Sequence, residues 1–199
     1  MAFPYPFAAL IGNQLKEDIV KYVLVPIADG SEELEAVAIV DVLRRAGANV
    51  VLAAVNDLVV TASKGIRLMA DRLLFDCNRE TFDLIVLPGG MPGAEALRDS
   101  KVLIDLLKRQ ADEGRLYAAI CASPAVALHP HGLLRGKRFT CHPSFSQGLS
   151  EGLSTEPVVV DGNLVTSRGA GTAVDFALTL VELLYGKETA QGVRKGMAI

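Results

Sequence analysis

Several things are missing from this sequence, and each absence excludes a class of protein. No apolar stretch approaches the roughly 20 residues that a bilayer-crossing helix needs, so no membrane partner is expected. No basic run is present and the formal net charge is -3, which argues against direct nucleic-acid binding. Cysteine is limited to Cys77, Cys121 and Cys141, and none of them forms a CxxC pair. The odd count speaks against a disulfide framework and for a reducing compartment. The cytoplasm is therefore the expected location, with organelle targeting by the N-terminal segment left open. His129 and His131 are two apart beside Pro130, and Cys141 and His142 are adjacent. Neither spacing suits one tetrahedral ion, so no metal is expected. Internal repeats and low-complexity stretches are absent as well.

What is present suits one compact domain. The chain has 199 residues, half of them hydrophobic, and its mean hydropathy is +0.32. Met1 to Gln14 carries no charged side chain and holds two prolines. Its apolar Phe7 to Ile11 is too short for a signal core, and no basic residue precedes it. Residues 1–20 read as a tail or short packing segment, and residues 21–199 as the single domain.

Strands and helices alternate along that domain. Tyr22 to Ile27 reads as a strand, and Asp29-Gly30-Ser31 as a turn with Ser31 as a ready N-cap. A helix follows to Arg45 and stops at Gly47, with Glu32 and Glu33 suited to its dipole. Asn49 to Val55 is a strand, and Leu58 to Ala70 one or two short strands. Leu84 to Leu87 is a core strand ending in Pro88-Gly89-Gly90. Val102 to Glu113 is an amphipathic helix closed by Gly114. Leu116 to Ile120 is a buried strand, and the alanine-rich stretch after Cys121 reads as helix. A hairpin spans Val158 to Ser167, and a helix runs from Ala173 to Tyr185. Continuous apolar strands alternating with helices predict an α/β fold, a mainly parallel sheet with helices on both faces.

In such sheets the site lies beyond the carboxyl ends of the strands. Asp29 to Glu32, Pro88 to Gly90, Cys121 and Ser167 to Gly169 should converge there. No glycine or proline separates the Cys121 strand from the following helix, so the chain must turn sharply at Cys121 itself, as a nucleophile elbow does. A helix start there would favour the thiolate. The other reading is a small buried hydrophobe ending a strand. Gly89 and Gly90 could offer N–H donors and, with Ala122, an oxyanion hole, or could form an ordinary tight turn. Glu35 shares an apolar stripe with Ala38, Ile39, Val42 and Leu43, so a buried, protonated carboxyl is expected there. The alternative is a glutamate bent back into water. His142 could act as a base for Cys121 or be a structural histidine. Arg168 could bind an anionic group or cap backbone carbonyls.

At this point the residues carry a resemblance. Gly30-Ser31-Glu32-Glu33-Leu34-Glu35, Leu87-Pro88-Gly89-Gly90, Ala119-Ile120-Cys121-Ala122, His142-Pro143 and Thr166-Ser167-Arg168-Gly169 resemble the DJ-1/PfpI family, most of all its DJ-1 branch. The similarity runs from Tyr22 to about Gly192. It implies a flavodoxin-like three-layer sandwich and a homodimer. It implies that Cys121 is the reactive, oxidisable cysteine and Glu35 the protonated carboxyl bonded to its sulfur. Gly90 and Ala122 would hold the oxyanion and His142 would assist. It further implies a cofactor-free glyoxalase or deglycase acting on reactive dicarbonyls such as methylglyoxal, with redox sensing in oxidative stress. The alternative is a redox-regulated chaperone or signalling partner with little turnover.

Departures from the family pattern limit what carries over. Peptidase relatives place a histidine directly after the cysteine, where this chain has Ala122. The DJ-1 branch often has glycine where Ser123 stands and proline where Ala170 stands.

Overall fold

The computed structural model describes residues 20–199. The expectation for the N-terminal tail falls on residues that lie almost wholly outside that range. Seven strands form the main sheet: β1 (Tyr22–Ile27), β2 (Asn49–Ala54), β5 (Arg72–Leu73), β6 (Leu84–Leu87), β7 (Leu116–Ile120), β8 (Val158–Asp161) and β9 (Leu164–Ser167). Their order is β5-β2-β1-β6-β7-β9-β8, and only the β8–β9 pair is antiparallel. This is the flavodoxin-like α/β sandwich. The remaining strands, β3 (Val59–Thr61) and β4 (Arg67–Met69), pair as a separate hairpin arm.

The central strands consist of consecutive apolar residues because both faces are covered. On one face lie α1 (Glu33–Arg45), α4 (Ala173–Tyr185) and α5 (Lys187–Gly196), burying Ile39, Leu43, Phe176 and Leu180 against Val23, Val25 and Val86. On the other lie α2 (Gly93–Asp99) and α3 (Lys101–Asp112), with Leu97, Leu103 and Leu107 packed on Leu24, Ile85 and Tyr117. Each such fully buried side chain contributes roughly 1.5–3 kcal/mol before the entropy of ordering is counted.

The strand order reverses between β1 and β6. One connection from this point leads outward through β2 and another through β7, which leaves a crevice above the carboxyl ends. The β1–α1 turn, the loop after β6 and the end of β7 all face it.

The first turn of α1 departs from expectation. Its N-cap is Glu32, whose carboxylate accepts from the Glu35 N–H at 2.8 Å. Ser31 is unavailable because its hydroxyl accepts from the Ala28 N–H and its carbonyl from the Ser63 N–H.

Candidate active site

β7 delivers the chain to Cys121 and the backbone reverses there at φ +64°, the left-handed region that costs a non-glycine residue about 1–2 kcal/mol. Two long-range clamps hold that conformation. The Cys121 N–H donates to the Ser167 carbonyl at 2.9 Å, and its carbonyl accepts from the His142 N–H at 2.8 Å. The elbow therefore exists because β9 and the segment before His142 grip both ends of one residue. The alanine-rich stretch expected as helix is a single π-type turn at Pro124–Leu128, followed by a 3-10 turn at His129–His131. Proline explains the truncation. Pro130 has no N–H to continue the ladder, and the His129 N–H reaches back to the Pro124 carbonyl.

Glu35 comes from α1 and is fully buried. Its Oε2 accepts the Gly89 N–H at 2.7 Å, whereas Oε1 has no aligned partner among the described residues. Desolvation raises its pKa from 4.5 to about 7, against the Gly89 N–H and Cys121, which lower it, and with Glu32, which raises it. The Cys121 thiol is pushed up to about 12, first by burial and then by the Glu35 charge and hydrogen bond, while the Gly90 and Ala122 N–H groups pull it down. The expected depression of the thiol is thus supplied by those two N–H groups alone, and burial and Glu35 outweigh it. Glu35 raises the thiol while Cys121 lowers the acid, so the two groups titrate as a pair. A thiolate at Cys121 requires a proton on Glu35.

The loop after β6 must be glycine for steric reasons. A Cβ on Gly89 would sit 2.6 Å from the Cys121 Cβ, and one on Gly90 only 2.4 Å from the Glu32 nitrogen. Gly90 also sits at φ +86°. The two glycines have different tasks. Gly90 points its N–H at the sulfur, as Ala122 does. The N–H of Gly89 goes to Glu35, which corrects its expected place among the oxyanion donors.

The His142 ring and the Cys121 sulfur both border Gly169: a Cβ built there would be 3.3 Å from the His142 Cδ2 and 3.9 Å from the Cys121 Sγ. Its Nδ1 accepts from the Ser144 N–H at 3.2 Å, so the neutral ring carries its proton on Nε2. In that tautomer the ring nitrogen left free of Ser144 is a donor, not a base. Arg168 donates to the Thr155 carbonyl at 3.3 Å, the backbone-capping alternative, and stands beside Cys141. Cys77 and Cys141 are both buried, and burial raises both thiols. Among the described residues, no group of three or more His, Cys, Asp or Glu is placed to hold a metal ion, and no helix is long and apolar enough to cross a membrane.

The sequence model of the DJ-1/PfpI family matches residues 21–183, which include every residue placed at this crevice. The chain belongs to the DJ-1/PfpI family. It is 52% identical to Protein DJ-1 homolog B of Arabidopsis thaliana over 89% of its own length, though it spans only 41% of that relative. It is 38% identical to the glutathione-independent glyoxalase DJR-1.2 of Caenorhabditis elegans, covering 89% of this chain and 95% of the relative. The solved structure of oxidized Toxoplasma gondii DJ-1 superposes with a TM-score of 0.88 at 46% identity, over 90% of this chain and 98% of that one.

Sequence reasoning missed two contributors to this DJ-1/PfpI site. Glu33 is not a solvated helix-start carboxylate but is buried. It accepts from the Ser63 hydroxyl and from the Lys64 and Ile66 N–H groups, binding the β3–β4 arm to α1. Ser123 donates its hydroxyl to the Pro88 carbonyl at 2.5 Å. A buried acid among turn residues and a serine before a proline were the only signals. Neither says which distant backbone group is the partner.

Proposed function

We propose that this chain is a cysteine-dependent, cofactor-free enzyme acting on reactive dicarbonyls, a glyoxalase or deglycase that converts methylglyoxal to lactate. The observation that carries this reading is the strained Cys121 elbow, with a buried high-pKa carboxyl on one side and two N–H donors on the other. The C. elegans relative named as a glutathione-independent glyoxalase supports it.

The groups divide the chemistry as follows. The Cys121 thiolate adds to the aldehyde carbon and forms a C–S bond, leaving an alkoxide. The Gly90 and Ala122 N–H groups stabilise that oxyanion. Glu35 gives its proton to the alkoxide and becomes the base. It then takes the proton from the former aldehyde carbon and returns it to the neighbouring carbon. The hydroxyl proton on the first carbon moves to the second oxygen, which leaves a lactoyl thioester. Water hydrolyses the thioester, releasing lactate and the thiol. His142 assists by donating from Nε2. The experiment is lactate production from methylglyoxal without glutathione, with Cys121→Ser and Glu35→Gln beside the wild type. Turnover lost in both supports the mechanism; no turnover in the wild type overturns the enzymatic reading.

A second reading has one observation in its favour. Cys121 is the only cysteine of the three that is not buried, and oxidation to sulfinate would make it a redox sensor. In that case the protein is a redox-regulated chaperone or signalling partner. As for assembly, Leu34 and Val37 are exposed on α1, and Ile66 and Met69 are exposed on the β3–β4 arm that Glu33 ties to α1. This apolar face supports a homodimer. Light scattering at about twice the 21.2 kDa chain mass is the expected result, and a stable monomer the contrary one.

A further inference from the structure

The Pro88–Gly89 peptide is bonded at both ends. Its carbonyl accepts the Ser123 hydroxyl at 2.5 Å, and its N–H donates to Glu35 Oε2 at 2.7 Å. Ser123 and Glu35 are both fully buried. A peptide unit is rigid and planar, so fixing the direction of its carbonyl fixes the direction of its N–H. Nothing local makes that choice, because Gly89 tolerates φ of either sign. If the plane turned over, the Pro88 carbonyl would face the Glu35 carboxyl and the donor would be lost. The hydroxyl of Ser123 opposes this turn, since the reversed plane would leave it without an acceptor. Donation to the carbonyl also polarises the peptide and strengthens the N–H at its far end.

We propose that Ser123 is a positioning residue: through the Pro88–Gly89 peptide it holds the Glu35 carboxyl in place against Cys121. It touches neither sulfur nor substrate. The inference deepens the enzymatic reading and rests on it only for the turnover arm of the test. The next residue along the same loop is Gly90, whose N–H faces the sulfur, so releasing the plane loosens both donors. The titratable groups facing the Glu35 carboxyl are Cys121 and Glu32. The His142 ring and the Cys121 sulfur both border Gly169.

The experiment measures Cys121 alkylation rate against pH in wild type, Ser123→Ala, Ser123→Gly and Ser123→Thr, with lactate production run in parallel. The pair carries one negative charge that these N–H groups stabilise, so the hydroxyl-free variants should need a higher pH to form the reactive anion. The midpoint should rise by about half a unit to one unit in both, and Thr should restore it. The kcat for lactate should fall roughly three- to tenfold with little change in KM. In a Glu35→Gln background the midpoint shift from Ser123→Ala should shrink by at least about half. Alkylation profiles that superimpose for wild type, Ala and Gly would overturn the proposal, as would an undiminished shift in the Glu35→Gln background. Both alkylation readouts hold even if the wild type makes no lactate, which separates failure of this inference from failure of the enzymatic reading.

Discussion

Glu33 and Glu35 stand two residues apart on the first turn of α1, both are buried, and their pKa values move in opposite directions. Burial alone would raise each. At Glu33 it is outweighed by hydrogen bonds from its own backbone, Ser63, Ile66 and Lys64, and the carboxyl is held below its ordinary value. At Glu35 desolvation outweighs the Gly89 N–H and the Cys121 contact, and the acid rises to about 7. The difference lies both in depth, since Glu35 is enclosed and Glu33 lies near the surface, and in the supply of donors. A carboxylate whose lone pairs are filled holds structure together. One left half-satisfied beside a sulfur keeps a proton it can give away.

Exchanging each acid for its amide should break this comparison most visibly. Glu35→Gln should lower lactate turnover by about 100-fold or more, the scale of lost general acid–base catalysis. Glu33→Gln should leave turnover within about fivefold, because its carboxyl touches the β3–β4 arm and not the sulfur. Similar losses in both variants would mean that the two acids do not have separate tasks.

Stability against pH sharpens the contrast. The folded pKa of Glu35 lies above its unfolded value, so its contribution is complete below about 4.5 and is lost as pH rises through about 7. That rise amounts to about 3 kcal/mol. In Glu35→Gln, denaturant unfolding should lack this loss between pH 5 and 8. Glu33 has the opposite sign. Its folded pKa is depressed, so its contribution is present above the unfolded value and is lost as pH falls through the folded one. Removing it by Glu33→Ala leaves the Lys64 and Ile66 N–H groups without their acceptor and should cost about 2 kcal/mol at neutral pH. Unfolding of Glu33→Ala at wild-type denaturant concentrations would show that water replaces those bonds freely.

The smallest effect concerns the cysteines. Cys121 faces the crevice, whereas Cys77 and Cys141 are buried with raised thiols and no comparable donors. Mild peroxide should yield sulfinate at Cys121 first by peptide mass spectrometry. Earlier oxidation at Cys77 or Cys141 would contradict the elbow account.

The sequence makes β1, β6 and β7 legible because strands buried on both faces are unbroken apolar runs. It makes α4 legible between Ala173 and Gly186 by composition and stop signal. Cys121, Glu35, Gly90 and Ala122 are legible because each departs from its local surroundings or follows a strand end. Other features are not legible. β5 is two residues long, and its pairing with Ala53 and Ala54 is set from a distance. α2 opens on Pro92 and Gly93, which read as loop. α5 is polar with glycines inside it, and only packing on α4 makes it a helix. The task of Glu33 depends on Ser63 and Lys64, about thirty residues away, and that of Ser123 on Pro88. Partners at such separations leave no periodicity for a sequence pattern to report.

The central claim is that Glu35 keeps its proton beside Cys121 far above the ordinary carboxylate range and titrates near neutrality. The most direct measurement is a 13C NMR titration of the Glu35 side-chain carboxyl in the reduced wild-type protein, assigned by its absence in Glu35→Gln. A midpoint near 7, as the burial of this carboxyl demands, is the predicted result. A midpoint at the ordinary value of 4.5 would place a carboxylate against the thiol throughout the neutral range and would contradict the account.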